Sequence, residues 1–298
     1  MKKIILLAIT LIFLVGCISL PQFAPKKQLI VGSGIKMEFD PAPREITGPF
    51  RLGLKFTNNN PSAITGNLLL RDITTLKGFD DISQSVYLEP ALIEYSDEPD
   101  PRTGEQVVKL SSPSVKYEDF GTIEYEEIIA GATAQFLAEF NFDYTSNLNT
   151  QICVSSFGSR TVSCQENEMF SGNKLGLENQ FAPIVASVTK TAKSRIPGQA
   201  LLELNIDLNN IGGGELEERD ILLANVDLVG DGVDLRCDSS NAVSSSGNQF
   251  EIKLQNNKAK INCFADVSFV GDLMVNDLFL SLSYPYKLKA NTGAIKVQ

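Results

Sequence analysis

Apolar and polar residues alternate along three segments of the chain, and this period of two residues predicts β-strands. A helix over residues 124–140 is the alternative for the second segment, because one helical face would hold Ile129, Ala132, Phe136 and Phe140. The two-residue period continues beyond residue 140, so a strand is favoured there as well. The apolar positions of the three segments are Phe50, Leu52, Leu54 and Phe56; Ala134, Phe136, Ala138, Phe140, Phe142 and Tyr144; and Leu202, Leu204, Ile206 and Leu208.

Two short motifs predict turns. The dipeptide Asn256-Asn257 lies between alternating segments and is typical of a β-hairpin. The glycines 212–214 follow a predicted strand without the lysine and helix of a phosphate-binding loop, so they predict a simple turn. Pairing across the asparagine turn would place three pairs on one core-facing side: Leu254 with Ala259, Ile252 with Ile261, and Phe250 with Cys263.

The two halves of the chain share patterns in the same order, which indicates an internal repeat. The segment FRLGLKFTNN at 50–59 resembles LLELNIDLNN at 201–210, and GNLLLRDI at 66–73 resembles GELEERDI at 214–221. The segment FNFDY at 140–144 corresponds to LSLSY at 280–284, and a short apolar strand follows each, at 152–154 and 293–297.

The repeat predicts an all-β protein with two tandem domains. The length of 298 residues accommodates two domains of ordinary size, which we place at 29–166 and 183–298 with a linker at 167–182. Each half contains about seven short segments of strand pattern, separated by Gly, Pro, Asn and Asp, as in an immunoglobulin-like β-sandwich. The chain contains no tryptophan, so only the sandwich architecture is implied.

The first residues have the layout of a secretory signal peptide. Lys2 and Lys3 precede an uncharged apolar run from Ile4 to Val15, and Gly16 and Cys17 follow. A transmembrane anchor is the alternative, but a spanning helix needs about 20 apolar residues. The run from Ile4 to Leu20 is shorter than that. We therefore predict a signal peptide at 1–16, and leave open whether residues 4–20 stay on the protein as an anchor.

The segment Leu14-Val15-Gly16-Cys17 resembles the lipobox of prokaryotic lipoproteins. This resemblance implies that the Cys17 thiol is linked to diacylglycerol and becomes the first residue after cleavage. The expected partner of this end is membrane lipid, and the protein is expected on the extracytoplasmic side of a cell membrane. Residues 17–28, which include Pro21, Pro25 and two lysines, would form the lipidated N-terminus and a linker to the first domain.

The four remaining cysteines predict two disulfide bonds. The dipeptide Gly158-Ser159 lies midway between Cys153 and Cys164, so a tight turn there would set these two cysteines opposite each other. Cys237 and Cys263 would then form the second bond. Disulfides persist outside the cytoplasm, in agreement with the leader. The spacings fit no zinc knuckle, and the chain contains no histidine.

Composition excludes several functions. Without histidine, a Ser-His-Asp or Cys-His triad cannot form, and we expect no enzymatic activity and no cofactor. A hydrolase that uses two carboxylates is the remaining enzymatic alternative, although the absence of tryptophan argues against a sugar-stacking cleft. The formal charge of −10 disfavours nucleic acid as a partner.

Two acidic segments are candidates for Ca²⁺, which prefers flexible sites rich in oxygen ligands. Neither has the spacing of an EF-hand, and solvated turns explain both, so we assign no metal ligand. The acidic residues are Asp97, Glu98, Asp100 and Glu105 in the first segment, and Asp227, Asp231 and Asp234 in the second.

Lipobox, tandem sandwiches and a cysteine hairpin together resemble uncharacterised envelope proteins of archaea and bacteria. The resemblance implies an anchored, surface-exposed and non-enzymatic protein that binds an envelope protein or the cell-wall matrix, but no site residues carry over. A spacer subunit of a secretion, pilus or transport assembly is the alternative.

Overall fold

Strands make up most of the described chain, and their buried and exposed side chains alternate as expected. The computed structural model describes residues 34–74, 79–99, 106–125, 130–157, 164–217, 221–230, 233–268 and 270–298. The strands within these ranges are β1 (Ile35–Phe39), β2 (Glu45–Ile46), β3 (Phe50–Asn58), β4 (Ile64–Asp72), β5 (Ile82–Leu88), β6 (Leu92–Pro99), β7 (Gln106–Ser112), β8 (Ser114–Ile123), β9 (Thr133–Ala134), β10 (Phe136–Ser155), β11 (Asn167–Ser171), β12 (Ile184–Ile196), β13 (Gln199–Asn210), β14 (Glu215–Leu216), β15 (Ile221–Val229), β16 (Arg236–Asp238), β17 (Ala242–Ser246), β18 (Gln249–Lys253), β19 (Lys258–Ser268), β20 (Leu273–Asn291) and β21 (Ile295–Val297).

These strands form one large sheet and four smaller ones. The central sheet has the order β17-β18-β15-β20-β10-β4-β5, and β14 also pairs with β20. We call β1-β3-β8 the N-terminal sheet and β11-β12-β13-β19-β16 the C-terminal sheet. Strand β21 lies between β2 and β9, and β6 pairs with β7.

The N-terminal and C-terminal sheets both pack on one face of the central sheet, and the core lies between. The even-numbered residues of β20 from Met274 to Leu288 are all buried on this face. The rings of Phe56 in β3 and Phe140 in β10 lie 5.2 Å apart. On the C-terminal side, the Ile184 backbone N–H of β12 donates to the Tyr284 hydroxyl, at 3.1 Å. The fold is therefore an all-β sandwich.

The antiparallel pair β10 and β20 joins the two halves of the chain. The pair runs from Leu137↔Asn291 to Ser155↔Leu273, and Tyr144 lies opposite Tyr284 near its middle. Tyr144 and Tyr284 are the last residues of the matching segments 140–144 and 280–284. When β10 is superposed on β20 so that Tyr144 matches Tyr284, the pair Phe140↔Leu288 falls on the pair Leu148↔Leu280. The halves are therefore related by a pseudo-twofold axis between the two tyrosines.

This arrangement differs from the expected pair of separate sandwiches. The strands of both halves share the central sheet, and Gly32–Gln298 form one compact unit. The cause is the length of β10, which continues through the short strand expected at 152–154 and so reaches both halves. The segment 167–182, expected as a linker, contains β11, a 3-10 helix at Gly172–Leu175 and helix α1 at Leu177–Phe181. Immunoglobulin-like topology in each half stays a prediction.

The match between 66–73 and 214–221 does not correspond to equivalent strands. Strand β4 pairs with β10, and the strand that pairs with β20 in the same way is β15, which begins at Ile221. The short β14 at Glu215–Leu216 is an additional pair on β20.

The asparagine turn is confirmed, but the hairpin is wrong. Asn256 and Asn257 have positive φ angles of 52° and 64°, as a type I′ turn requires. Beyond the single bridge Gln255↔Lys258, however, β18 enters the central sheet and β19 enters the C-terminal sheet. The apolar residues of β18 and β19 face the same core from opposite layers. The alternation of apolar and polar residues is therefore kept, although the two strands do not pair with each other.

Three buried tyrosines of the β10–β20 pair bind the covering layers through their hydroxyl groups. Tyr144 accepts a hydrogen bond from the Asn60 side chain, just after β3. Tyr284 accepts the Ile184 N–H at 3.1 Å, and Tyr286 donates to Asn210 Oδ1 at 2.8 Å. Each hydroxyl is therefore satisfied by an element of the opposite layer.

Burial also changes the ionisation of these tyrosines. Desolvation raises the pKa of Tyr144 to about 12, against the opposing effect of the hydrogen bond from Asn60. Desolvation likewise raises the pKa of Tyr286 to about 12, and it raises the pKa of Tyr284 well above its ordinary value. The folded protein thus retains these phenolic protons at a pH where an unfolded chain has lost them.

Replacing Tyr284 with phenylalanine tests the link between the layers. The Tyr284→Phe variant leaves the Ile184 N–H without an acceptor in the core, so we expect the free energy of unfolding to fall by about 1–3 kcal/mol. The matched control is Tyr87→Phe, because the Tyr87 side chain is 51% exposed and its replacement should change stability by less than about 0.5 kcal/mol. Equal effects of both variants in urea titrations would contradict this role.

Alkaline pH should destabilise the fold through the same tyrosines. The unfolded state releases their protons near pH 10 and the folded state at about 12 or above, so the unfolded state binds fewer protons in this window. The free energy of unfolding should therefore decline as the pH rises from about 10 to about 12. The Tyr144→Phe variant should show a shallower decline, and an unchanged slope would argue against a buried phenol at this position.

Candidate binding surface

The outer face of the central sheet is exposed on the side opposite the core. Along β10, the odd-numbered residues from Asp143 to Asn149 are exposed, whereas their even-numbered neighbours are buried. The same alternation continues in β15, where exposed Leu223 and Asn225 alternate with buried Leu222 and Ala224. Because the central sheet includes strands of both halves, this outer face is continuous across the pseudo-twofold axis.

Two rows of outward side chains cross five neighbouring strands of this face. The strand registers place residues of β10, β20, β15, β18 and β17 side by side, at a spacing of about 4.8 Å between strands. The first row is Thr145, Ser283, Leu223, Glu251 and Ser244, and the second row is Asn147, Ser281, Asn225, Gln249 and Ser246.

The surface is concave over four of these strands, and we call this depression the serine groove. It has a volume of about 380 Å³ and is lined by parts of β15, β17, β18 and β20. The Ser244 hydroxyl donates to Glu251 Oε2 at 2.7 Å. At the other end of the first row, the Thr145 and Ser283 hydroxyl oxygens lie 3.3 Å apart. The lining residues are Leu223, Ala224, Asn225, Ser244, Ser245, Ser246, Gln249, Phe250, Glu251, Ser281 and Ser283.

A second depression of the outer face lies over β4 and β10 and has a volume of about 230 Å³. Thr65, Asn67 and Asp143 line it together with Glu217, and Lys287 pairs with Glu217 at 3.7 Å. Beside it, Glu139 contacts both Arg71 and Lys289. Opposite charges neutralise each other in this part of the face, so we assign no ligand to it.

A third depression, of about 480 Å³, lies outside the central sheet at the ends of β12, β13 and β19. Its lining includes Lys193, Gln199 and Asp266. These side chains differ in charge and form no regular row, so this depression carries no functional assignment.

Both expected cysteine pairs are joined in the structure. The Sγ atoms are 1.94 Å apart in Cys153–Cys164 and 2.02 Å apart in Cys237–Cys263. Cys237 and Cys263 are directly opposite each other in β16 and β19, in the C-terminal sheet. Cys153 lies near the end of β10, and the turn expected at Gly158-Ser159 lies outside the described residues. The sequence thus predicted the pairing, but Cys237 and not Phe250 proved to be the neighbour of Cys263.

A buried lysine lies beside the first disulfide. Lys190 of β12 has no exposed side-chain surface, and its Nζ donates to the Cys153 carbonyl oxygen at 3.0 Å. The same ammonium lies 3.3 Å from Glu168 Oε2 of β11. A buried charge needs such partners. Lys190 therefore connects three strands, and the sequence patterns gave no sign of this contact.

The remaining candidate residues of the sequence are not brought together. Cys17, Asp100, Glu105 and Asp231 lie outside the described residues, and the side chains of Asp97 and Glu98 are not described either. Asp227 is exposed in β15, and Asp234 lies 3.7 Å from Arg236, an ion pair on the surface.

Within the described ranges, no group of three or more acidic or cysteine side chains is placed to hold a metal ion. Over the same residues, no helix has the length and apolar character needed to cross a membrane.

The serine groove itself was missed by the sequence reasoning. The alternation of Ser281 and Ser283 with leucines assigns these serines to an outward face. It does not reveal that Asn225 and Gln249, from distant strands, lie beside Ser281.

No known protein family matches the chain, and a comparison with curated proteins also gives no match.

Removing the disulfides should lower stability in two separable steps. Each bond restricts the conformations of the unfolded chain, and this loss of loop-closure entropy adds roughly 3 kcal/mol to the free energy of unfolding. The double variant Cys237→Ala/Cys263→Ala should lose about that amount in denaturant titrations, and reduction of this variant should remove about as much again. A chain whose unfolding midpoint is the same with and without reductant would contradict the contribution of both bonds.

Proposed function

We propose that this chain is a lipid-anchored protein of the prokaryotic cell envelope, which faces the extracytoplasmic side and binds a partner without catalysing a reaction. Its N-terminal end is attached to the membrane through Cys17. Its all-β body presents the outer face of the central sheet to an envelope protein or to the cell-wall matrix.

The observation that carries this proposal is the pair of disulfide bonds within one fold. All four cysteines beyond Cys17 are engaged, Cys153 with Cys164 and Cys237 with Cys263. Reducing compartments keep thiols free, whereas oxidising compartments outside the cytoplasm allow such bonds to persist. A complete set of intramolecular disulfides thus favours a secreted protein, as the leader pattern does independently.

The anchor is supported by the sequence at the end of the leader. Cys17 follows the apolar run directly and is preceded by Gly16, the small residue expected before a cleavage site. A diacylglycerol group supplies two acyl chains, and each buried CH₂ contributes about 0.8 kcal/mol to membrane attachment. Two acyl chains hold a protein durably without electrostatic help. The body provides no such help, because its net charge is negative and anionic lipid head groups repel it.

A binding role is supported by the chemistry of the outer face. Glu251 is the single carboxylate among the described residues that line the serine groove, whereas glycoside hydrolysis requires two. The whole chain lacks histidine, the commonest general base. The groove offers hydroxyl and amide groups that can hold a ligand by hydrogen bonds but cannot activate a nucleophile.

Lipidation of Cys17 can be tested with an alkyne-labelled fatty acid in a bacterial host that processes lipoproteins. We expect label on the wild-type chain and none on Cys17→Ser, because serine has no thiol to accept the lipid. The matched control is Ser19→Ala, which changes a small residue of the same segment and should leave labelling intact.

Two results would contradict the proposed anchor. One is a wild-type chain without label that retains Met1, and the other is label that persists on Cys17→Ser. Gel mobility with and without reductant, measured on the same samples, reports separately whether the body has formed its disulfides.

A further inference from the structure

We propose that the serine groove binds an uncharged polysaccharide chain that lies across the strands of the central sheet. This inference rests on the proposed envelope location, where the body meets the cell-wall matrix, and it names the class of ligand. The groove is the part of the outer face in which aligned hydrogen-bonding side chains and a concave surface coincide.

The side chains of the groove match the chemistry of a sugar. Ser281, Ser283 and Ser244 carry hydroxyl groups, which both donate and accept hydrogen bonds, and the amides of Asn225 and Gln249 do the same. Hydroxyl groups on a glycan need partners of both kinds. A surface that offers both kinds in two parallel rows can therefore bind successive sugar rings in the same way.

The charge of the groove favours a neutral ligand. Among the described residues that line the groove, Glu251 is the one charged residue, and the Ser244 hydroxyl already donates to it. The same set of residues includes no lysine or arginine that could bind an acidic polymer. The chain as a whole carries a charge of −10, which repels anionic glycans and phosphate polymers further.

The spacing of the rows favours an extended polymer over a small molecule. Neighbouring strands lie about 4.8 Å apart, which is comparable with the length of one pyranose ring along an extended glycan. The rows cross five strands from Ser244 in β17 to Thr145 in β10, so several consecutive rings have a partner on each strand. Phe279, 42% exposed, lies two residues before Ser281 on the same outer face, beyond the lining of the groove, and offers an apolar surface to a ring that extends past it.

The groove is a poor match to a protein partner. Protein interfaces depend on a few large buried anchors, most often Trp, Tyr and Arg. Of the lining residues that the structure describes, Leu223 is the one large apolar side chain that is exposed, at 53%, and none is Trp, Tyr or Arg. A leucine among hydroxyl groups suits the C–H face of a sugar ring instead.

Equilibrium binding of fluorescently labelled hexasaccharides to the full chain tests this proposal. The probes are chitohexaose and cellohexaose, which are neutral, with hexagalacturonate as an anionic comparison. The protein is purified in a detergent with a phosphocholine head group, because sugar detergents would compete. We expect saturable binding of a neutral hexasaccharide with a Kd below about 1 mM, and weaker binding of hexagalacturonate.

Paired variants separate the groove from the rest of the face. Asn225→Ala/Gln249→Ala removes two amides from the second row, and losing about two hydrogen bonds should weaken binding roughly tenfold. The control is Asn67→Ala/Gln151→Ala, which removes the same two residue types from exposed positions of the same sheet outside the groove. Both variants should keep the wild-type unfolding midpoint, because all four side chains are exposed.

Three results would overturn the proposal: no saturable binding of either neutral probe, equal weakening by both double variants, or stronger binding of the anionic probe. A dimer in sedimentation experiments that Leu223→Glu dissociates would also overturn it, because a second copy would then occupy the groove. None of these results would alter the labelling of Cys17, so the proposed anchor stands or fails separately.

Discussion

The pairing of β10 with β20 is the interaction on which the rest of the structure depends. One face of this pair supplies buried residues to the core that both halves share, and its opposite face forms the middle of the exposed surface. Tyr144 and Tyr284 lie directly opposite each other, with ring centroids 5.6 Å apart, and each binds a backbone or side-chain group of a covering layer. Loss of this pair would open the shared core in both halves at once, which explains why the halves form one unit.

Local features of the fold could be predicted from the sequence, because strand alternation and turn chemistry are local. Phe50 to Phe56 and Leu202 to Leu208 are buried at every second position, as expected. The choice of pairing partner is not local. The sequence around Asn256-Asn257 is compatible with a hairpin and with two strands in opposite layers, and only packing of the whole chain decides between them. Gly66 is a second example of a feature that depends on the pairing partner. A Cβ at this position would lie 2.4 Å from the Asn141 carbonyl oxygen of β10, a contact that only the pairing of β4 with β10 creates.

The candidate binding surface could be predicted only in part for the same reason. Alternation assigns Ser281 and Ser283 to an outward face, but the groove consists of residues from four strands. Their alignment follows from two registers, β20 with β15 and β15 with β18, which join segments that are far apart in the sequence. The disulfides were easier to predict, because four cysteines allow few pairings and one pair brackets a turn motif.

The proposed anchor and the proposed binding face would have separate roles, one in membrane attachment and the other in ligand binding. A lipid at Cys17 would keep the body at a membrane surface, and the groove would then face the surrounding matrix. Intact-mass spectrometry of the native protein tests this account most directly. We predict a chain that begins at Cys17, carries the mass of a diacylglycerol and lacks four hydrogens because of its two disulfides. A chain that begins at Met1, carries no lipid and has all five cysteines as reduced thiols would contradict it.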